Sequence, residues 1–211
     1  MIKVKVCGLT DPGNVRDVAD AGADFLGYIF YRGSKRYVGD NPVADLFAHI
    51  PEYAKKVGVF VNEEQHRVIE AVKQFGLSMV QLHGEENAIY CKAIRDNGTQ
   101  VIKAFGIRPD FDFSNLLPYM EACDFFMFDA KTELYGGSGL KFGWEVLRDY
   151  DLNKPFFLSG GIGPGDTLKI KELKHRALFA ADINSRFEFQ PGVKDIIKVR
   201  TFIYHIKTSE T

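Results

Sequence analysis

Leu158-Ser159-Gly160-Gly161-Ile162-Gly163-Pro164 reads as the end of an apolar strand that runs into two adjacent glycines and on towards a helix. Glycine lets a backbone turn tightly and approach an anion closely. A helix start beyond it offers free N–H groups to the same anion. Where such a turn falls in the chain separates the α/β architectures. An open, doubly wound sheet carries its glycine fingerprint after the first strand. A closed (β/α)8 barrel places its phosphate site after strands seven and eight. Here the first strand candidate, Lys3–Cys7, is followed by Gly8-Leu9-Thr10 without a GxGxxG pattern. The late glycine pair therefore points to the barrel.

Working outward, the chain supplies the strands this reading needs. The other candidates are Phe25–Phe30, Lys56–Val61, Met79–His83, Val101–Phe105, Phe125–Phe128, Pro155–Ser159 and Leu178–Ile183. They recur roughly every 20 to 30 residues, the length of a strand plus its return helix. Most are continuous apolar runs, as strands covered on both faces should be. Between them the apolar period switches to that of helices. Val15, Val18, Ala19 and Gly22 share a face behind an Asp11-Pro12 start signal, and Val68, Ile69, Val72 and Phe75 form a second stripe. A last helix is predicted over Val193–Ile206, presenting Ile196, Ile197, Ile203 and Ile206. No linker or charge block marks a second domain, so residues 1–211 are expected to form a single (β/α)8 TIM-barrel catalytic domain.

Composition narrows the function. Lys and Arg number 27 against 28 Asp and Glu, so no basic excess points to nucleic acid. No apolar run approaches the ~20 residues that cross a bilayer, and Met1-Ile-Lys-Val-Lys turns polar too early for a secretory signal. Cys7, Cys91 and Cys123 form no CxxC pair, which fits a reducing cytoplasm and neither a disulfide framework nor a structural zinc site.

In a barrel, chemistry sits where strands end. Cys7 ends the first strand. A lone cysteine is commonly a small buried hydrophobe, but a strand-end thiol can act as a base if cations or backbone dipoles lower its pKa. Asp129 follows the apolar run Phe125–Phe128, where a carboxylate is costly unless paired or used. Tyr135-Gly136-Gly137-Ser138-Gly139 reads as a loop able to fold over a ligand. Gly160 and Gly161, with the turn Asp182-Ile183-Asn184-Ser185-Arg186 after the last strand, read as a phosphate cradle. Arg36, on the loop after the second strand, suits a carboxylate in bidentate geometry. His83 reads equally as a structural or a site histidine. Cys7, His83 and Asp129 lie on three separate strands with no metal-ligand spacing, so no metal is expected.

In order along the chain, the segments KVCGLT (5–10), GADFLG (22–27), SKRYV (34–38), VGVFVN (57–62), VQLHG (80–84), FDAK (128–131), YGGSG (135–139), LSGG (158–161) and PGVKD (191–195) form one pattern. It resembles that of the phosphoribosylanthranilate isomerases of tryptophan biosynthesis. The resemblance implies an Amadori rearrangement of an aminoaldose phosphate by general acid–base catalysis, with no cofactor. It implies Cys7 as general base, Asp129 as general acid and Arg36 as holder of the anthranilate carboxylate. Gly160, Gly161 and Ser185 match the phosphate cradle, while His83 and Asp182 match active-site positions of unspecified role. Arg186 departs from the family's Ser-Gly pair in the last turn: its side chain either adds a charge-assisted phosphate contact, the expected case, or points away while its amide still serves. The partner implied is a small phosphorylated substrate, with the chain a monomer or homodimer. Two other readings stay open: a related histidine-pathway aminoaldose isomerase, against which the exit Phe60-Val61-Asn62 lacks a second glycine pair, and a phosphate-binding barrel without catalysis. Lys103, Lys131 and Asn62 carry no assigned role.

Overall fold

A computed structural model describes residues 1–130 and 144–208. Eight parallel strands, β1 (Lys3–Cys7), β2 (Phe25–Ile29), β3 (Lys55–Phe60), β4 (Met79–Leu82), β5 (Gln100–Ile107), β6 (Phe125–Ala130), β7 (Phe156–Ser159) and β8 (Leu178–Ile183), close into a barrel. The order is sequential, and β1 completes the ring by pairing with β8, Lys5 opposite Asp182. The barrel predicted from the late glycine turn is the barrel observed.

Alternation along each strand divides the apolar residues into two sets. Phe25, Val57, Met79, Ile102, Ala104, Met127, Phe157 and Ala180 fill the lumen. Phe25 and Phe157 meet edge to face at 5.2 Å, and each fully buried side chain of this size contributes about 1.5–3 kcal/mol. The other face of the strands, including Val4, Val6, Leu26, Val80 and Leu158, packs under the surrounding helices.

Those helices are α1 (Pro12–Asp20), α2 (Gln65–Phe75), α3 (Ala88–Asp96), α4 (Thr167–Glu172) and α5 (Ile196–Lys207). Asp11 caps α1 by accepting from the Asn14 amide at 2.7 Å, with Pro12 at the first turn as its start signal predicts. Among the described residues, the returns after β2, β5 and β6 are 3-10 segments: Ala44–Phe47, Phe113–Tyr119 and Trp144–Asp149. Pro42 and Pro51 bracket the first, and Pro118 interrupts the second, so neither stretch sustains an α-helical ladder.

The predicted last helix needs two corrections. Val193-Lys194 forms strand β10, pairing antiparallel with β9 (Glu188–Gln190) as a hairpin after β8. Asp195 then caps α5 by accepting from the Ile197 and Lys198 amides. The buried face of α5 is Val199, Phe202, Ile203 and Ile206, while Ile197 is 79% exposed. Counting isoleucines alone missed the i, i+3, i+4, i+7 stripe that Phe202 completes. Among the described residues no helix is long and apolar enough to cross a membrane.

Candidate active site

The carboxyl ends of the strands surround a cavity of about 220 Å³. Its walls include Cys7, His83, Asp129, Gly160, Gly161, Asp182 and Ser185, seven of the nine side chains or turns predicted from sequence. Arg36 and Arg186 are not among its lining residues. Lys131 and the Tyr135–Gly139 segment lie outside the described residues.

β1 points Lys5 and Cys7 inward, two residues apart on one face. Lys5 is fully buried and pairs with Asp182 at 2.8 Å, while Ser159 donates to the other Asp182 oxygen at 3.2 Å. A buried lysine needs such a partner, because an isolated charge there is strongly disfavoured. Burial acts to lower the Lys5 pKa, but Asp182 and Cys7 outweigh it and hold the ammonium above its ordinary value. Cys7 moves the other way from expectation. Burial pushes its thiol up, against the pull of Lys5, with Asp182 adding to the rise and Lys194 opposing it. The lowered thiol expected of a strand-end base is absent because the desolvated site disfavours the thiolate more than its cations favour it. Opposite Cys7 in the ladder stands Gly27, where an added Cβ would lie 2.9 Å from the sulfur and 3.2 Å from Lys5 Nζ. That residue must stay small for the pair to fit.

Across the mouth, His83 Nε2 lies 3.4 Å from Asp129 Oδ2, and His83 Nδ1 lies 2.7 Å from Gln81 Nε2. The loop carrying His83 is pinned by a buried ion pair. Glu86 accepts from the Asn62 and Gly84 amides at 2.8 and 2.9 Å, and Lys103 reaches Glu86 at 2.9 Å and the Gly84 carbonyl at 2.6 Å. Asn62, at φ 50°, accepts from the Glu85 amide at 2.6 Å. Lys103 and Asn62 are thus committed to shaping the β3 and β4 exits.

The glycine turn after β7 has Gly160 at φ 94° and Gly161 at φ 63°, conformations that side chains rarely adopt. It is a turn and not a helix start: α4 begins only at Thr167, and the Gly163 amide already donates to Asp166 at 2.7 Å. Any anion held here meets turn amides, so the expected helix contribution falls away. Facing it, Ser185–Phe187 forms a single 3-10 turn after β8. Arg186 Cδ lies 3.4 Å from where a Cβ on Gly163 would sit, so this exposed side chain crosses from the β8 turn towards the β7 turn.

Arg36 is held by a protein carboxylate. Its Nε donates to Glu188 Oε1 at 2.7 Å and its Nη2 to Oε2, and Lys194 Nζ, the Gly192 amide and Asn184 extend the network. Glu188, its side chain 5% exposed, is held below its ordinary value: desolvation works to raise it, but the Arg36 and Lys194 hydrogen bonds outweigh that. Arg36 passes directly over Gly8, which sits at φ 76°. Sequence reasoning missed Lys5, Gln81, Ser159 and Glu188. For Lys5 and Gln81 the signal was present, since each lies two residues before a singled-out residue on the same strand. For Glu188 it was absent, because its tie to Arg36 spans 152 residues.

The comparisons fit this geometry. The profile of the family described as "N-(5'phosphoribosyl)anthranilate (PRA) isomerase" matches residues 4–205. The chain is 40% identical over 204 residues to an N-(5'-phosphoribosyl)anthranilate isomerase of Phocaeicola vulgatus, covering 97% of both chains. Its fold is similar to that of a phosphoribosyl anthranilate isomerase solved with reduced 1-(o-carboxyphenylamino)-1-deoxyribulose 5-phosphate (TM-score 0.85, 32% identity, 98% and 99% coverage). It is also similar to monomers generated from the dimeric enzyme of Thermotoga maritima (TM-score 0.82, 31% identity, 98% and 99% coverage).

Proposed function

Because the chain belongs to the N-(5'-phosphoribosyl)anthranilate isomerase family, it catalyses the Amadori rearrangement of the tryptophan pathway, and we propose how its residues divide that work. Asp129 is the general acid and Cys7 the general base. The observation that carries this reading is that both line one small cavity together with the glycine turn.

Asp129 protonates the ribose ring oxygen, the C1–O bond breaks, and the substrate nitrogen takes up the charge as an iminium. Cys7 then removes the C2 proton, giving an enolamine that tautomerises to the aminoketose. Acid and base need opposite protonation states, which a carboxylic acid and a thiolate satisfy. Lys5 lies against Cys7 as the counter-charge a thiolate needs, and Asp182 holds Lys5 in place. The substrate's own nitrogen is the electron sink, so the chemistry calls for no cofactor. Gly160, Gly161 and Ser185 cradle the phosphate, with Arg186 adding a charge-assisted contact. Arg36 takes the anthranilate carboxylate on the guanidinium edge that Glu188 leaves open. His83 supports Asp129. The chain works in the cytoplasm as a monomer or homodimer.

A crystal structure with reduced 1-(o-carboxyphenylamino)-1-deoxyribulose 5-phosphate tests these assignments. The phosphate is expected between the β7 and β8 turns within hydrogen-bond reach of Arg186, and the carboxylate on Arg36. A phosphate bound away from both glycines, or a carboxylate that leaves Arg36 untouched, contradicts them.

A further inference from the structure

Gln81 lies in β4 and precedes His83, at the exit of that strand, by two residues, and both line the same cavity. Gln81 is 1% exposed, and its Nε2 lies 2.7 Å from His83 Nδ1. A carboxamide nitrogen only donates, so Nδ1 accepts. In a neutral ring the single proton then sits on Nε2, which faces Asp129 Oδ2 at 3.4 Å. The amide has no better orientation. Its Oε1 is buried with no hydrogen-bond partner among the described residues. Turning the amide round would leave both N–H donors orphaned, where the present orientation leaves one N–H and the carbonyl oxygen, and orphaned buried N–H groups are the rarer and costlier case.

From this geometry we propose that Gln81 is a positioning residue that fixes His83 as its Nε2–H tautomer, so that His83 holds one oxygen of Asp129 and leaves the acid proton on the other. The inference rests on Asp129 being the general acid. When Asp129 gives its proton to the ring oxygen it becomes a carboxylate, and the Nε2–H donor facing it stabilises that charge. The opposite tautomer would present a lone pair to Oδ2. It would either repel the carboxylate or draw the acid proton onto Oδ2–H···Nε2, away from the substrate. The 3.4 Å separation suits a contact that tightens when charge develops.

Imidazole ¹⁵N shifts read the tautomer directly, independent of activity. His83 is identified by comparison with His83→Asn. His175 serves as internal reference, since its Nδ1 accepts from the Ala177 amide at 3.1 Å and its Nε2 faces the Tyr150 carbonyl at 2.9 Å. The expected result at neutral pH is a bare Nδ1 and a protonated Nε2 for both residues. A protonated Nδ1 on His83, as the other tautomer or as imidazolium, overturns the proposal. In Gln81→Met, which keeps volume and removes the donor, the Nδ1 shift moves towards a tautomer mixture. Its kcat falls roughly 10-fold or more while KM changes little, a fraction of the usual acid–base contribution. Unchanged shifts with unchanged kcat also overturn it. Full activity in Asp129→Asn would instead remove the acid assignment itself, whatever tautomer the ring shows.

Discussion

Burial raises the Cys7 thiol, and this has a kinetic consequence. A base works only when deprotonated, so its contribution is lost as pH falls below its pKa. With that pKa above the ordinary 9.0, kcat/KM is expected to climb through the alkaline range and to continue rising past about pH 9 before any plateau. A kcat/KM profile already flat at neutral pH would show that Cys7 is not the titrating base in the free protein. Gly8 makes a second residue-scale test. An alanine there would take a strained positive φ, and its Cβ would fall 2.4 Å from Arg36 Cδ and 2.9 Å from Asn184 Oδ1. Gly8→Ala should lose about 1–3 kcal/mol in denaturant unfolding and raise KM, because Arg36 has to move. Wild-type stability with wild-type KM would refute the placement of Arg36 over Gly8. At this scale the sequence was informative wherever a side chain stood at a strand end. It was blind where function depends on what burial does to a pKa, since desolvation is a property of the packed site.

Among elements, the β4 exit is fixed by charge buried away from its strand. Glu86 and Lys103 have side chains only 2% and 3% exposed, and between them they tie four backbone groups around His83 and Asn62. Removing one partner of such a pair strands the other's charge. Glu86→Ala is therefore expected to cost about 3–5 kcal/mol in chemical denaturation, and the double variant with Lys103→Met should recover part of that loss. A Glu86→Ala cost within a few tenths would show the pair to be solvated. The elements themselves were legible to differing degrees. Strands declared themselves as apolar runs, and α1 by its Asp-Pro cap. The 3-10 returns were not, because prolines set how a segment fails as a helix without saying what replaces it. The hairpin of β9 and β10 was hidden as well. Its three- and two-residue strands are too short to show a period, and its purpose is a contact with Arg36 on the far side of the chain.

At the scale of the molecule, closure of the barrel explains why distant residues act together. Pairing of β1 with β8 puts Lys5 opposite Asp182, 177 residues later. The same closure gathers Cys7, Asp129 and the β7 turn around one cavity. The count of strands allowed this closure, and the glycine pair lying late in the chain, after the seventh strand, pointed to it in advance. The relative depth of each side chain below the rim depends on stagger and tilt, which no linear pattern carries. The measurement that tests the account most directly is turnover of freshly generated phosphoribosylanthranilate, followed by loss of its fluorescence, for the wild type, Cys7→Ala and Asp129→Asn. The wild type should consume substrate, and each variant should fold normally yet lose about 10²–10⁴ in kcat. Near-wild-type turnover by either variant, or none by a folded wild type, would contradict the division of acid and base between Asp129 and Cys7.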